Sequence, residues 1–103
     1  MEMYVSKQIL DQINAIDPMA LYAWGVKNIS VGKVDGRNEG VILHGVKGSK
    51  TKGKTSIMVI LDALDLYTIK MYRHKRYAEI ELVREIPGVY AEDLVKTIDE
   101  LVG

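Results

Sequence analysis

Apolar residues recur along this chain in two rhythms, and the switch between them outlines a fold. Val5, Ile9, Ile13 and Ile16 stand three or four residues apart, the spacing of one helix face, with Lys7, Asp11 and Gln12 on the other. Ser6 is placed to cap this helix at its start. Asp17-Pro18 ends it, because the residue before proline is disfavoured in the helical region. Asp17 as cap and Pro18 as first residue then predict a short second helix over residues 19–24, closed by Gly25. From there the rhythm becomes two. Residues 28–34 alternate like an edge strand, residues 35–40 carry the glycines of a hairpin turn, and residues 41–46 predict a second strand. Residues 56–61 and 66–73 predict two more strands, joined by a turn in which Asp62 and Asp65 act as caps. Arg73-His74-Lys75-Arg76 is the tip of a further hairpin, and residues 77–83 return from it. In that strand Ala78, Ile80 and Leu82 are expected to face one way, against the core, and Glu79 and Glu81 the other, into water. Pro87-Gly88 is expected to break the chain. A last helix over residues 90–102 puts Leu94, Ile98 and Leu101 on one stripe, with Glu92 and Asp93 in its first turn, where they favour the helix dipole.

The predicted fold class is α+β: a five-stranded antiparallel meander with the N-terminal and C-terminal helices packed on one face. At 103 residues the chain is expected to form one domain with a single modest core. Its hydrophobic fraction of 48% argues against disorder. The absence of cysteine excludes a disulfide framework, a thiolate metal site and a catalytic thiol. The sequence shows no signal peptide and no apolar run near the ~18 residues needed to span a bilayer, so a cytoplasmic protein without a membrane partner is expected.

Gly48-Ser49-Lys50-Thr51-Lys52-Gly53-Lys54-Thr55 matches GxxxxGK[ST], the phosphate loop of nucleotide hydrolases. That loop must follow a buried strand and open into a helix whose N-terminal amides hold the phosphates. Here the residues that follow are β-branched and read as a strand. A strand-to-strand connection is therefore expected, and a small NTPase remains only a remote alternative.

The formal net charge is zero, but the charges are segregated. Between His44 and Tyr77 eight Lys and Arg face two Asp, whereas from Ala78 onward seven Asp and Glu face two Lys and Arg. Such a split suits an anionic partner on one side, or self-association of opposite faces. The basic loop (Lys47, Lys50, Lys52, Lys54) and the hairpin tip (Tyr72, Arg73, Lys75, Arg76) are the candidate ligand-binding residues. Their cations would neutralise phosphates, and tyrosines beside them would stack on bases. Meander counting puts both loops at one end of the sheet. His44 and His74, far apart in sequence and without an HxxxH spacing, do not suggest a metal site. No Ser or Thr is flanked by a His and a carboxylate, so no catalytic residue and no cofactor is expected. Tyr67 and Tyr90 are expected to close the core, and Trp24 to pin the short helix to the sheet.

Gly25-Val26-Lys27-Asn28 before a hairpin, Asp65-Leu66-Tyr67-Thr68-Ile69-Lys70 entering a basic hairpin, and Gly88-Val89-Tyr90-Ala91-Glu92-Asp93-Leu94 opening a helix follow a helix that begins Ile9-Leu10-Asp11-Gln12-Ile13. In this order the motifs resemble a family of small phage, prophage and plasmid proteins. The resemblance covers nearly the whole chain. It departs at His74-Lys75-Arg76, where the family commonly has a glycine, and in the unusually basic loop at 47–54. It implies a mobile-element origin and an α+β fold but no activity. The expected function is a small, non-enzymatic binding protein that uses its basic end on nucleic acid or a phosphorylated small molecule. A role against a host defence rests on the resemblance alone. The alternative is an interaction module that docks a host protein or another copy of itself.

Overall fold

The computed structural model describes residues 4–62 and 64–103, with Ala78 described by its backbone alone. Two helices, α1 (Tyr4–Ile16) and α3 (Leu94–Val102), accompany a five-stranded antiparallel sheet, and a single-turn helix, α2 (Ala20–Ala23), follows α1. The strands are β1 (Asn28–Lys33), β2 (Glu39–His44), β3 (Thr55–Leu61), β4 (Tyr67–His74) and β5 (Ile80–Val89). Their order in the sheet is their order in the chain. This is the predicted meander.

Alternation decides what each sheet face does. Val41, Leu43, Ile57, Val59, Ile69 and Met71 point to one side, where Ile9 and Ile13 of α1 and Leu94 and Ile98 of α3 meet them in the core. Each such aliphatic side chain contributes about 1.5–3 kcal/mol by leaving water. Tyr67 closes this core at 1% exposure, as expected, whereas Tyr90 is 57% exposed and closes nothing.

Ser6 does not cap α1. It lies inside the helix and is buried, and its hydroxyl donates to the Gly40 carbonyl at 2.7 Å while accepting the Gly32 amide at 3.0 Å. Its own amide donates to the Glu39 carboxylate at 2.8 Å. The residue therefore fastens α1 to the first hairpin, satisfying polar groups that burial would otherwise penalise. Asp17 is not the N-cap of α2, and Pro18 is not its first residue: Met19 holds the cap position without a side-chain bond, and Asp17 accepts the Met19 amide at 2.9 Å in the turn before it. Trp24 is anchored to α3, not only to the sheet: its indole N–H donates to Asp99 at 2.5 Å. Of the two expected turn caps, Asp62 acts as one, whereas Asp65 stands at φ +59° and joins the turn through its amide, which donates to the Asp62 carbonyl at 3.3 Å. Asp35 accepts the amides of Arg37 and Asn38, and Asp62 those of Leu64 and Leu66. The Asn38 amide bond chiefly holds the Asp35 carboxyl below its ordinary range.

The last strand departs most from expectation. Pro87-Gly88 does not break the chain, because β5 runs on to Val89. The pairing skips one residue there, with Tyr67 opposite Val89 and Ile69 opposite Ile86. Such an irregularity on an edge strand tolerates a residue with no amide to donate. A second slip, between Met71–Arg84 and Tyr72–Leu82, leaves Val83 as an extra residue that still packs against the core. Ile80 and Leu82 consequently pair with His74 and Tyr72 and face away from the helices, at 58% and 46% exposure. The expectation that they face the core is overturned by this register. Glu81 is the half-buried member of the pair of acids and Glu79 the exposed one; the side chain of Ala78 lies outside the described residues.

The face away from the helices is hollow, not flat. Ser56, Met58 and Ile60 of β3 lie on it and are nevertheless buried, since the twist of the sheet rolls the flanking strands over its centre. Val34 from one side and Ile80 from the other line a shared depression of about 390 Å³ with Ile42, Met58 and Tyr72.

Candidate functional site

In an antiparallel meander the ends of β2 and β4 meet the starts of β1, β3 and β5 at one end of the sheet. The backbone ties there are direct. The Lys27 amide donates to the His44 carbonyl at 2.9 Å, the amides of Gly45 and Val46 share the Thr55 carbonyl at 3.1 Å, and the His74 amide donates to the Lys54 carbonyl at 2.9 Å. The predicted convergence of the basic loop and the hairpin tip between β4 and β5 is thus present in the backbone. The GxxxxGK[ST] segment links β2 to β3 and runs into a strand at Thr55, so it has no helix start at which to hold a phosphate.

The side chains nevertheless sort into three groups. Lys47 and Lys54 line a cleft of about 520 Å³ with Lys27, Gly45, Val46 and Thr51. Gly45 has φ +78°, and a Cβ on it would press on the Lys27 side chain at 3.1 Å. Its bareness is what lets that lysine lie along the cleft wall. Lys50 is committed elsewhere. Its ammonium donates to the Glu100 carbonyl at 2.9 Å and its amide to the Val102 carbonyl at 2.9 Å, where a cation complements the negative end of α3. Gly48 permits this docking, since a Cβ there would run into the Val102 carbonyl and side chain. Lys52 is exposed on the loop.

The hairpin tip makes the third group. Arg73 and Lys75 both approach the Glu81 carboxylate, at 3.6 and 3.4 Å, so part of their charge is answered within the chain. Arg76 stands in a 3-10 turn beside Tyr77. That tyrosine has φ +61° and is 94% exposed. Tyr72 turns away from this tip and lines the hollow on the far face.

Between the lysine cleft and the hollow lies a feature that sequence spacing did not suggest. His44 and His74 converge on one hydroxyl: Ser56 Oγ lies 2.9 Å from His74 Nε2 and 3.4 Å from His44 Nδ1. The other ring nitrogen of His44 is 2.8 Å from Ser30 Oγ. The pair and the hydroxyl line a further depression of about 320 Å³ with Lys27, Asn28, Gly45 and Lys54. A register signal existed. His44 pairs with Ser56, Ser56 with Tyr72, and His74 stands two residues beyond Tyr72 on the same strand face. Lys27 was legible in the same way, because it precedes β1 as Lys54 precedes β3.

The arrangement offers three ammonium groups, two imidazoles and a hydroxyl to one ligand, and among the described residues no carboxylate lines the two polar depressions. No cluster of three His, Cys, Asp or Glu able to hold a metal ion occurs among the described residues, nor does any helix long and apolar enough to cross a membrane. Comparison with protein-family models, curated proteins and solved structures finds no match for this chain.

Proposed function

We propose that this is a small, non-enzymatic binding protein whose basic cleft takes a phosphorylated ligand. One observation carries the reading: Lys27, Lys47 and Lys54 line one cleft, Lys27 and Lys54 also line the adjoining depression of His44, Ser56 and His74, and among the described residues no acidic side chain lines either. Hydrogen bonds to charged groups contribute ~1.5–3 kcal/mol each when they replace water. Three cations on one phosphate therefore suffice for measurable affinity. Of the residues expected from sequence, Lys47 and Lys54 belong to this cleft. Lys50, Arg73 and Lys75 have internal partners that compete with any ligand. The proposal extends to a cytoplasmic protein of a mobile element that captures such a ligand, in line with the resemblance of its motifs.

The test is titration with inorganic pyrophosphate, followed by amide shifts in nitrogen-15 spectra. Lys27→Glu and Lys54→Glu are each expected to weaken binding at least tenfold, and raised salt to weaken it further. Lys50→Ala and Arg76→Ala are expected to change it less than twofold. Equal losses at Arg76 and Lys54 would move the site to the hairpin tip and overturn the reading.

A second reading has its own observation. β1 and β5 are the two edges of the sheet, and β1 exposes Ile29 and Val31. Edges of this kind invite pairing with another strand, so self-association or docking on a host protein is the alternative. Native mass spectrometry distinguishes a bare monomer from an assembly.

A further inference from the structure

The hollow on the far face of the sheet and the basic cleft both adjoin the histidine depression between them. The cleft and the histidine depression share Lys27, Gly45 and Lys54, and the histidine depression and the hollow share His44, Ser56 and His74. The chemistry changes along this path from ammonium groups, through imidazole and hydroxyl, to Ile42, Met58, Tyr72, Ile80 and Val34. Along β3, Met58 lies about 7 Å beyond Ser56 on the same face, at a strand rise of ~3.3 Å per residue. A free phosphate would occupy only the first part. An apolar floor with an aromatic wall, joined to a cationic mouth by hydrogen-bonding groups, is the usual make-up of a small-molecule site.

We infer that the hollow receives the planar, weakly polar body of the same ligand whose phosphate sits among Lys27, Lys47 and Lys54, so that the ligand class is a nucleotide. The inference rests on the anion-binding reading and adds its specificity. In this placement the base lies over Met58 and Ile42 against Tyr72. The sugar hydroxyls meet the Ser56 hydroxyl and the two imidazoles, each of which donates or accepts according to tautomer. Apolar contact and stacking then supply selectivity that phosphate contacts alone do not. Adjacency to the cationic cleft through the histidine depression is what identifies the occupant, because an apolar partner segment would leave the three ammonium groups unanswered.

Calorimetric titration with ADP, UDP, inorganic pyrophosphate and adenosine separates the two parts. ADP and UDP are expected to bind at least tenfold more tightly than pyrophosphate, and adenosine to bind weakly with amide shifts at Met58 and Tyr72. Ile80→Glu and Tyr72→Ser, both at partly exposed positions, are expected to cost ADP about tenfold while leaving pyrophosphate within twofold. An unchanged amide spectrum away from the hollow shows that each variant folds. Nucleotides that bind no better than pyrophosphate would overturn this inference and leave the anion site standing. No binding by any of the four would overturn both. Hollow variants that leave ADP affinity alone but turn a dimer into a monomer would reassign the hollow to self-association.

Discussion

Tyr67 shows how a single side chain couples the core to solution conditions. It is buried beneath α1, with the Gln8 amide donating to its hydroxyl at 3.4 Å. Burial pushes its phenol above the ordinary value of 10.0, because the charged phenolate is disfavoured away from water. The unfolded chain therefore loses this proton first as pH rises. The contribution to stability is complete below pH 10.0 and falls away as the pH climbs through the folded value. Urea unfolding between about pH 8 and about pH 11 is expected to show this decline. Tyr67→Phe should remove that component, so a variant with the same alkaline slope as the wild type would contradict the account. Ser6 makes a different point at the same scale. Its sequence position reads as a helix cap, yet its hydroxyl bonds two residues of the first hairpin, 26 and 34 positions away. No local pattern announces a partner at that distance.

Among the elements, the helices were legible by their apolar stripe, β3 by its run of β-branched and apolar residues buried on both faces, and the other three of the first four strands by their apolar residues between turn signals. The glycines of residues 35–40 and the carboxylate of Asp62 made two turns readable before any tertiary contact was known. The fifth strand was legible in its existence but not in its extent or its facing, since apolar alternation says which residues share a face but not which face. The slip at Val83 decided that: it turns Ile80 and Leu82 away from the helices and brings Ile80 into the hollow. The site was half legible for a related reason. Strand direction brought the two basic loops to one end, but the internal partners of Lys50, Arg73 and Lys75 depend on α3 and on the β5 register. The junction between the loop and α3 also yields a prediction. Gly48→Ala places a methyl group against the last turn of α3, and overpacking of this kind costs ~1–3 kcal/mol. The urea midpoint should fall accordingly, and pyrophosphate binding should weaken with it, since Lys47 is the adjacent residue. A variant as stable as the parent would mean that the loop is not seated on the helix.

At the scale of the whole molecule, the sheet pairs neighbours in sequence, as a meander requires, and other contacts tie the middle of the chain to its last helix. One of them sets a limit on what the cleft can do alone. The loop that carries Lys47 is pinned at Lys50 to the Val102 carbonyl and at Ser49 to the Gly103 carbonyl. Ligand that immobilises this loop therefore also suppresses fraying of the final helical turn, about fifty positions downstream. Local opening and binding draw on the same free energy. Hydrogen exchange at the amides from Asp99 to Gly103 is expected to slow when the cleft is filled, although none of those amides touches the ligand. Unchanged exchange there would show that the loop binds without being held. The last turn of α3 is thus a remote gauge of occupancy, one that registers a ligand before its chemical nature is known.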